Sequence, residues 1–79
     1  MKVVITVQDW RRKQELAESV LMNEPEADAL HYEEIAKDLA KNAGKDAGYV
    51  SITCLEDDFD GEDKKIIDTL TLTWREWEL

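Results

Sequence analysis

The amino-acid pattern predicts a small α+β domain in the order β-α-α-β-β, with a three-stranded sheet and two helices packed on one face. Alternation carries the strands: "KVVITVQ" near the start and "TLTLTW" near the end interleave apolar and polar positions rich in β-branched side chains. Helical spacing carries the helices: Tyr32, Ile35, Ala36, Leu39, Ala40 and Ala43 recur as an amphipathic stripe. At 79 residues, 43% of them hydrophobic, the chain suits one domain, 1–79, with a thin core.

The first strand is expected over Lys2–Gln8, with Val3, Ile5 and Val7 on one face. Asp9 then reads as an N-cap for a helix from Trp10 to about Met22, whose stripe is Leu16, Val20 and Met22, flanked by Trp10, Ala17 and Leu21. Arg11, Arg12 and Lys13 would sit in its first turn, the unfavourable end for cations. Asn23 marks a turn, and Pro25 suits the start of a second helix that stops at Gly44. Acids crowd that helix's beginning, and Lys37, Lys41 and Lys45 crowd its end, as its dipole prefers.

"GYVSITCLE" reads as the second strand, with Val50, Ile52 and Cys54 on one face. "KIIDTLTLTWREWEL" fits both periods. The alternating threonines of Thr69–Trp74 favour a third strand, with Asp68 as the exception in its pattern. The second strand should run antiparallel to the first, and the third parallel to it.

Charge limits the function. Nineteen acids against ten Lys plus Arg give a formal net charge of -9. That balance argues against direct binding to nucleic acid or to anionic membranes, and for a basic protein partner. There is no apolar run long enough for a membrane span and no signal-peptide pattern. One cysteine, Cys54, rules out an internal disulfide and fits a cytoplasmic protein.

Catalytic and cofactor signatures are absent. His31 is the only histidine, and Cys54 is expected to be buried and inert. Zinc would need more Cys and His than these, and Gly44, Gly48 and Gly61 all fit caps and turns. No enzyme activity, metal or cofactor is therefore expected. "EDDFDGED" begins like a calcium loop at Glu56, Asp58, Asp60 and Gly61, but Lys64 and Ile67 stand where later ligands belong. A hairpin turn at Asp60-Gly61 is the local expectation.

The acids fall into two groups. Glu24, Glu26, Asp28, Glu33, Glu34 and Asp38 surround the expected inter-helix turn. Glu56, Asp57, Asp58, Asp60, Glu62 and Asp63 surround Phe59 in the expected hairpin. Carboxylates on rigid elements can occupy the phosphate positions of a basic groove, and an aromatic ringed by charge has the makeup of an interface anchor. The candidate partner-binding residues are Asp57, Asp58, Phe59, Asp60, Glu62 and Asp63, then Glu26, Glu33 and Glu34, with Trp77 as a further contact. A homodimer built on Trp77, Leu79 and an open strand edge is the competing class.

In size, charge and lack of a catalytic signature, the chain resembles phage-encoded inhibitors of host defence, including anti-CRISPR proteins. That resemblance implies a phage or mobile-element protein that blocks the basic surface of a nucleic-acid-binding complex. "VVITV", "GYVSI" and "EDKKIIDTL" followed by "TW" are also similar, in order and spacing, to the DinI-like modulators of RecA. In that family a strand, a helix and a strand precede an acidic C-terminal helix that binds RecA. The resemblance implies Asp63, Asp68, Glu76 and Glu78 on that helix. "TLTLTW" departs from it by reading as a strand, and one helix follows the family's first strand where two are expected here.

Overall fold

β1 (Lys2–Asp9) forms where the sequence predicts a strand, and Val3, Ile5 and Val7 are fully buried along one face. The chain then turns back at once into β2 (Glu15–Leu21), antiparallel to β1. A 3-10 turn, Ala29–Tyr32, leads into α1 (Glu33–Ala43). A second short 3-10 turn, Gly44–Asp46, delivers the chain to β3 (Ala47–Leu55). β4 (Ile66–Thr73) completes a four-stranded antiparallel sheet of order β2-β1-β3-β4. The structure, a computed structural model, describes residues 1–56 and 65–73.

The β-α-α-β-β arrangement with a three-stranded sheet is therefore corrected to ββαββ, with four strands and one α-helix among the described residues. The residues expected to form the first helix form a hairpin instead. Asp9 caps as expected, but it caps a turn: its Oδ1 accepts the backbone N–H groups of Lys13, 2.9 Å, and Gln14, 3.4 Å. Arg12 adopts the left-handed region at φ 56, with its N–H donated to the Asp9 carbonyl at 3.1 Å. Three successive cations at a helix N-terminus would oppose the dipole; a hairpin tip removes that conflict. The second helix also begins later than Pro25, because Asp28 caps the 3-10 turn by accepting from the N–H of Leu30 at 3.0 Å. Gly44, at φ 87, ends α1 as expected.

Other expectations agree with the fold. β3 is antiparallel to β1, and β4 runs in the same direction as β1 with β3 between them. The register sets Val3 beside Cys54, Ile5 beside Ile52 and Val7 beside Val50, all buried. α1 covers this face with Ala36 and Ala40, and Tyr32 adds its ring just ahead of the helix. Alanines four apart let the helix backbone approach the sheet closely.

Among the described residues, the opposite face of the sheet carries no helix. Its rows run Val20, Val4, Thr53, Thr69 and then Glu18, Thr6, Ser51, Thr71. Threonine serves such a face well, because it is β-branched yet tolerates water. Ser51 and Thr71 hydroxyls pair across it at 3.2 Å.

Candidate partner-binding site

The topology gives the sheet two chemically different ends. β1 and β4 begin at one end, and β2 and β3 finish there. That end receives the acidic segment after β2 and both sides of the 57–64 connection. α1 also begins there, with Glu33 and Glu34 in its first turn, where the helix dipole favours negative charge.

The acidic segment is fixed by its own hydrogen bonds. Asn23, at φ 60, turns the chain out of β2, a conformation asparagine tolerates. The Met1 ammonium donates to the Glu24 carbonyl at 3.0 Å, and the Glu24 N–H returns a bond to the Met1 carbonyl at 2.9 Å. The buried Tyr32 hydroxyl donates to the Glu26 carbonyl at 3.1 Å and lies 3.4 Å from Glu24 Oε2. Burial, and then the Glu24 carboxylate, push the Tyr32 phenol upward. Asp68, on the helix-covered face of β4, accepts the Ala29 N–H at 2.8 Å. The residue that breaks the strand pattern thus ties β4 to the 3-10 turn.

These bonds hold the backbone and leave carboxylates outside. Glu26 and His31 form a 3.5 Å ion pair when His31 is protonated, with both side chains more than half exposed. Glu34 is exposed and Glu33 half-buried. Glu56 is exposed, and its N–H donates to the Lys65 carbonyl at 2.9 Å, closing the base of the β3–β4 connection. Asp57, Asp58, Phe59, Asp60, Glu62, Asp63 and Trp77 lie outside the described residues, as does the expected Asp60-Gly61 turn. Lys2 and Lys65 also stand at this end, so its acidity is predominant without being exclusive.

The two acidic groups, separate in sequence, therefore meet at one end of the sheet. Glu26, Glu33 and Glu34 stand on elements that converge with Glu56 and the start of the acidic connection. Glu24 and Asp28 differ from them: the first pairs with Tyr32, and the second caps a turn. The capping role was readable from Asp28 preceding "ALHY"; the part played by Asp68 had no local signal.

Among the described residues no group of three or more His, Cys, Asp and Glu could hold a metal. Cys54 is buried in the core, and burial, followed by the Asp68 and Asp28 carboxylates, pushes its thiol upward, so it is a poor nucleophile. No described helix is long and apolar enough to cross a membrane. Comparison with protein families, with curated proteins and with solved structures finds no match to this chain.

Proposed function

We propose that this protein is a small acidic inhibitor that blocks a nucleic-acid-binding complex by seating carboxylates in its basic groove. An anti-defence role of the anti-CRISPR type, in a phage or mobile element and in the cytoplasm, is the setting that fits this chemistry. The supporting observation is the convergence of Glu26, Glu33, Glu34 and Glu56 at the end of the sheet where residues 57–63 depart. Asp57, Asp58, Asp60, Glu62 and Asp63 add five further carboxylates by sequence.

Such a surface works because the partner's lysines and arginines are already placed to receive phosphates. Carboxylates accept the same charge-assisted hydrogen bonds, and forked pairs with arginine fix orientation. The hydrogen bonds of Tyr32, Asp28 and Asp68 order the acidic segment before binding, which lowers the entropy lost on association. The formal net charge of -9 speeds encounter with a basic partner. The DinI-like alternative requires a helix where β4 runs.

The test is capture of partners from a bacterial lysate at low and high salt. The wild-type chain is compared with a variant reversed at Glu26, Glu33, Glu34, Asp57, Asp58, Asp60, Glu62 and Asp63. A basic nucleic-acid-binding protein retained at low salt, released at high salt and lost by the variant is the expected result. Equal retention by the variant would reject the proposal.

A further inference from the structure

β4 is the outer strand on one side of the sheet, and among the described residues no element pairs with its second edge. Alternation shows which backbone groups face that edge. The Glu56 N–H is donated to the Lys65 carbonyl, so Cys54, Ile52 and Val50, at even steps from Glu56, also bond toward β4. Their partners are Asp68, Leu70 and Leu72, which leaves Thr69 and Thr71 turned outward. Thr69 agrees with this: its N–H is taken at 2.9 Å by the side chain of its neighbour Asp68. Thr71 is exposed, and its hydroxyl is held by that of Ser51 at 3.2 Å.

The two edges of the sheet differ in how they are guarded. β2 carries Glu15 and Glu18 and an irregular register beside Gln8, devices that discourage a further strand from adding. From Asp68 to Thr73, β4 pairs residue for residue with β3, with no bulge, lysine or proline. Its one charge, Asp68, is occupied by the N–H groups of Ala29 and Thr69. A regular, nearly uncharged edge is a template for another strand.

The strand's own sequence selects the occupant. Thr69-Leu70-Thr71-Leu72-Thr73 reads the same in both directions about Thr71. We propose that β4 pairs antiparallel with β4 of a second copy, about a two-fold axis at Thr71, joining two four-stranded sheets into one of eight strands. A two-fold contact must be self-complementary, and a palindromic strand meets that condition on both faces at once. Thr71 exchanges N–H···O bonds with its counterpart, Leu70 faces Leu72 of the second copy, and Thr69 faces its Thr73. Leu70 and Leu72, half-buried in a single chain, lie on the helix-covered face, so pairing carries the apolar row across the junction. The threonines stay on the open face. Direction also suits the charge. β4 starts at the acidic end and spans roughly 25 Å, so antiparallel pairing sets the two acidic ends at opposite ends of the joined sheet. The inference is independent of the inhibitor proposal, because no acidic side chain takes part in the pairing.

Sedimentation over a concentration series tests it. The wild type should form a dimer and grow no further, since a two-fold contact closes on itself. Association should tighten between about 0.01 M and 0.15 M salt, as the Debye length shortens from roughly 30 to 8 Å and repulsion between two acidic chains is screened. Thr71→Pro removes an outward N–H, at a place where an edge strand accepts proline. It should stay folded by circular dichroism and raise the dissociation constant at least tenfold. Thr71→Lys and Thr71→Glu each set like charges face to face, so each alone should be monomeric. Mixed together they should form a heterodimer, because the two substituted positions oppose each other in this register. This charge-swapped pair decides the matter if the proline variant does not fold. A wild type that stays monomeric up to its solubility limit, a folded Thr71→Pro that dimerises as the wild type does, or a Lys/Glu mixture that stays monomeric would each overturn the proposal.

Discussion

Glu15 and Glu18 show how a single residue reports its surroundings. The bulge in β2 brings Glu15 opposite Gln8, on the face where Glu18 opposes Thr6, so two carboxylates share one side of an edge strand. A side-chain hydrogen bond with Glu18 is the main cause that pushes the pKa of the Glu15 carboxyl upward; desolvation and repulsion from Glu18 add to it. The sign follows from the direction. A carboxyl whose folded value is raised takes up its proton more readily in the folded state. Its stabilising contribution is present in acid and is lost as pH rises through the raised value. At neutral pH the pair therefore opposes folding, and Glu15→Gln should raise the melting temperature there. The advantage should shrink as acid protonates the wild-type residue. Thermal unfolding of both chains across the carboxylate range measures this, and a gap that widens in acid would contradict it.

Among the elements, β1, β3, β4 and α1 were legible in the sequence, and the strand β2, read as a helix, was not. β1 and β3 lie at the centre of the sheet, where one face is buried, so their alternation is strict. β2 is an edge strand, and its pattern is blurred: Ser19 faces the covered side and Val20 the open side. Leu16, Ala17, Val20 and Leu21 then happen to satisfy a helical period. Its turn gave no signal either, because the left-handed position is filled by Arg12 instead of glycine or asparagine. β4 was readable from its threonines, yet the one residue that broke its pattern joins the elements together. Asp68 accepts the N–H of Ala29 at 2.8 Å and that of Thr69 at 2.9 Å. Asp68→Ala should leave the Ala29 N–H without a partner, at a cost of about 1–3 kcal/mol for an unsatisfied partly buried donor. Amide exchange should quicken at Ala29 ahead of β1 and β3. Unchanged protection at Ala29 would mean that Asp68 is not what fixes the turn.

The whole molecule is governed by a charge balance that composition announced and by a distribution that only topology could supply. The two acidic groups are separated in sequence by the second half of α1 and all of β3. They converge because β3 finishes, and α1 begins, at the same end of the sheet. The basic cluster was visible as "RRK", but a helical reading put it in the wrong element. Concentrating negative charge at one end costs stability, since like charges repel more strongly in the folded chain than in an expanded one. His31–Glu26 is an exposed pair and offsets little of that cost. Salt should therefore stabilise this protein. Between about 0.01 M and 0.15 M the Debye length shortens from roughly 30 to 8 Å, which screens repulsion spread across the acidic end. A gain on the order of 1 kcal/mol would raise the melting temperature by about 4–8 °C for a chain of this size. Self-association would also stabilise the fold by mass action, so melting should be measured at several protein concentrations and extrapolated to dilution. A melting temperature that falls with salt in the dilute limit would show that attractive pairs outweigh the repulsion. A rise that vanishes on dilution would assign the effect to association between copies.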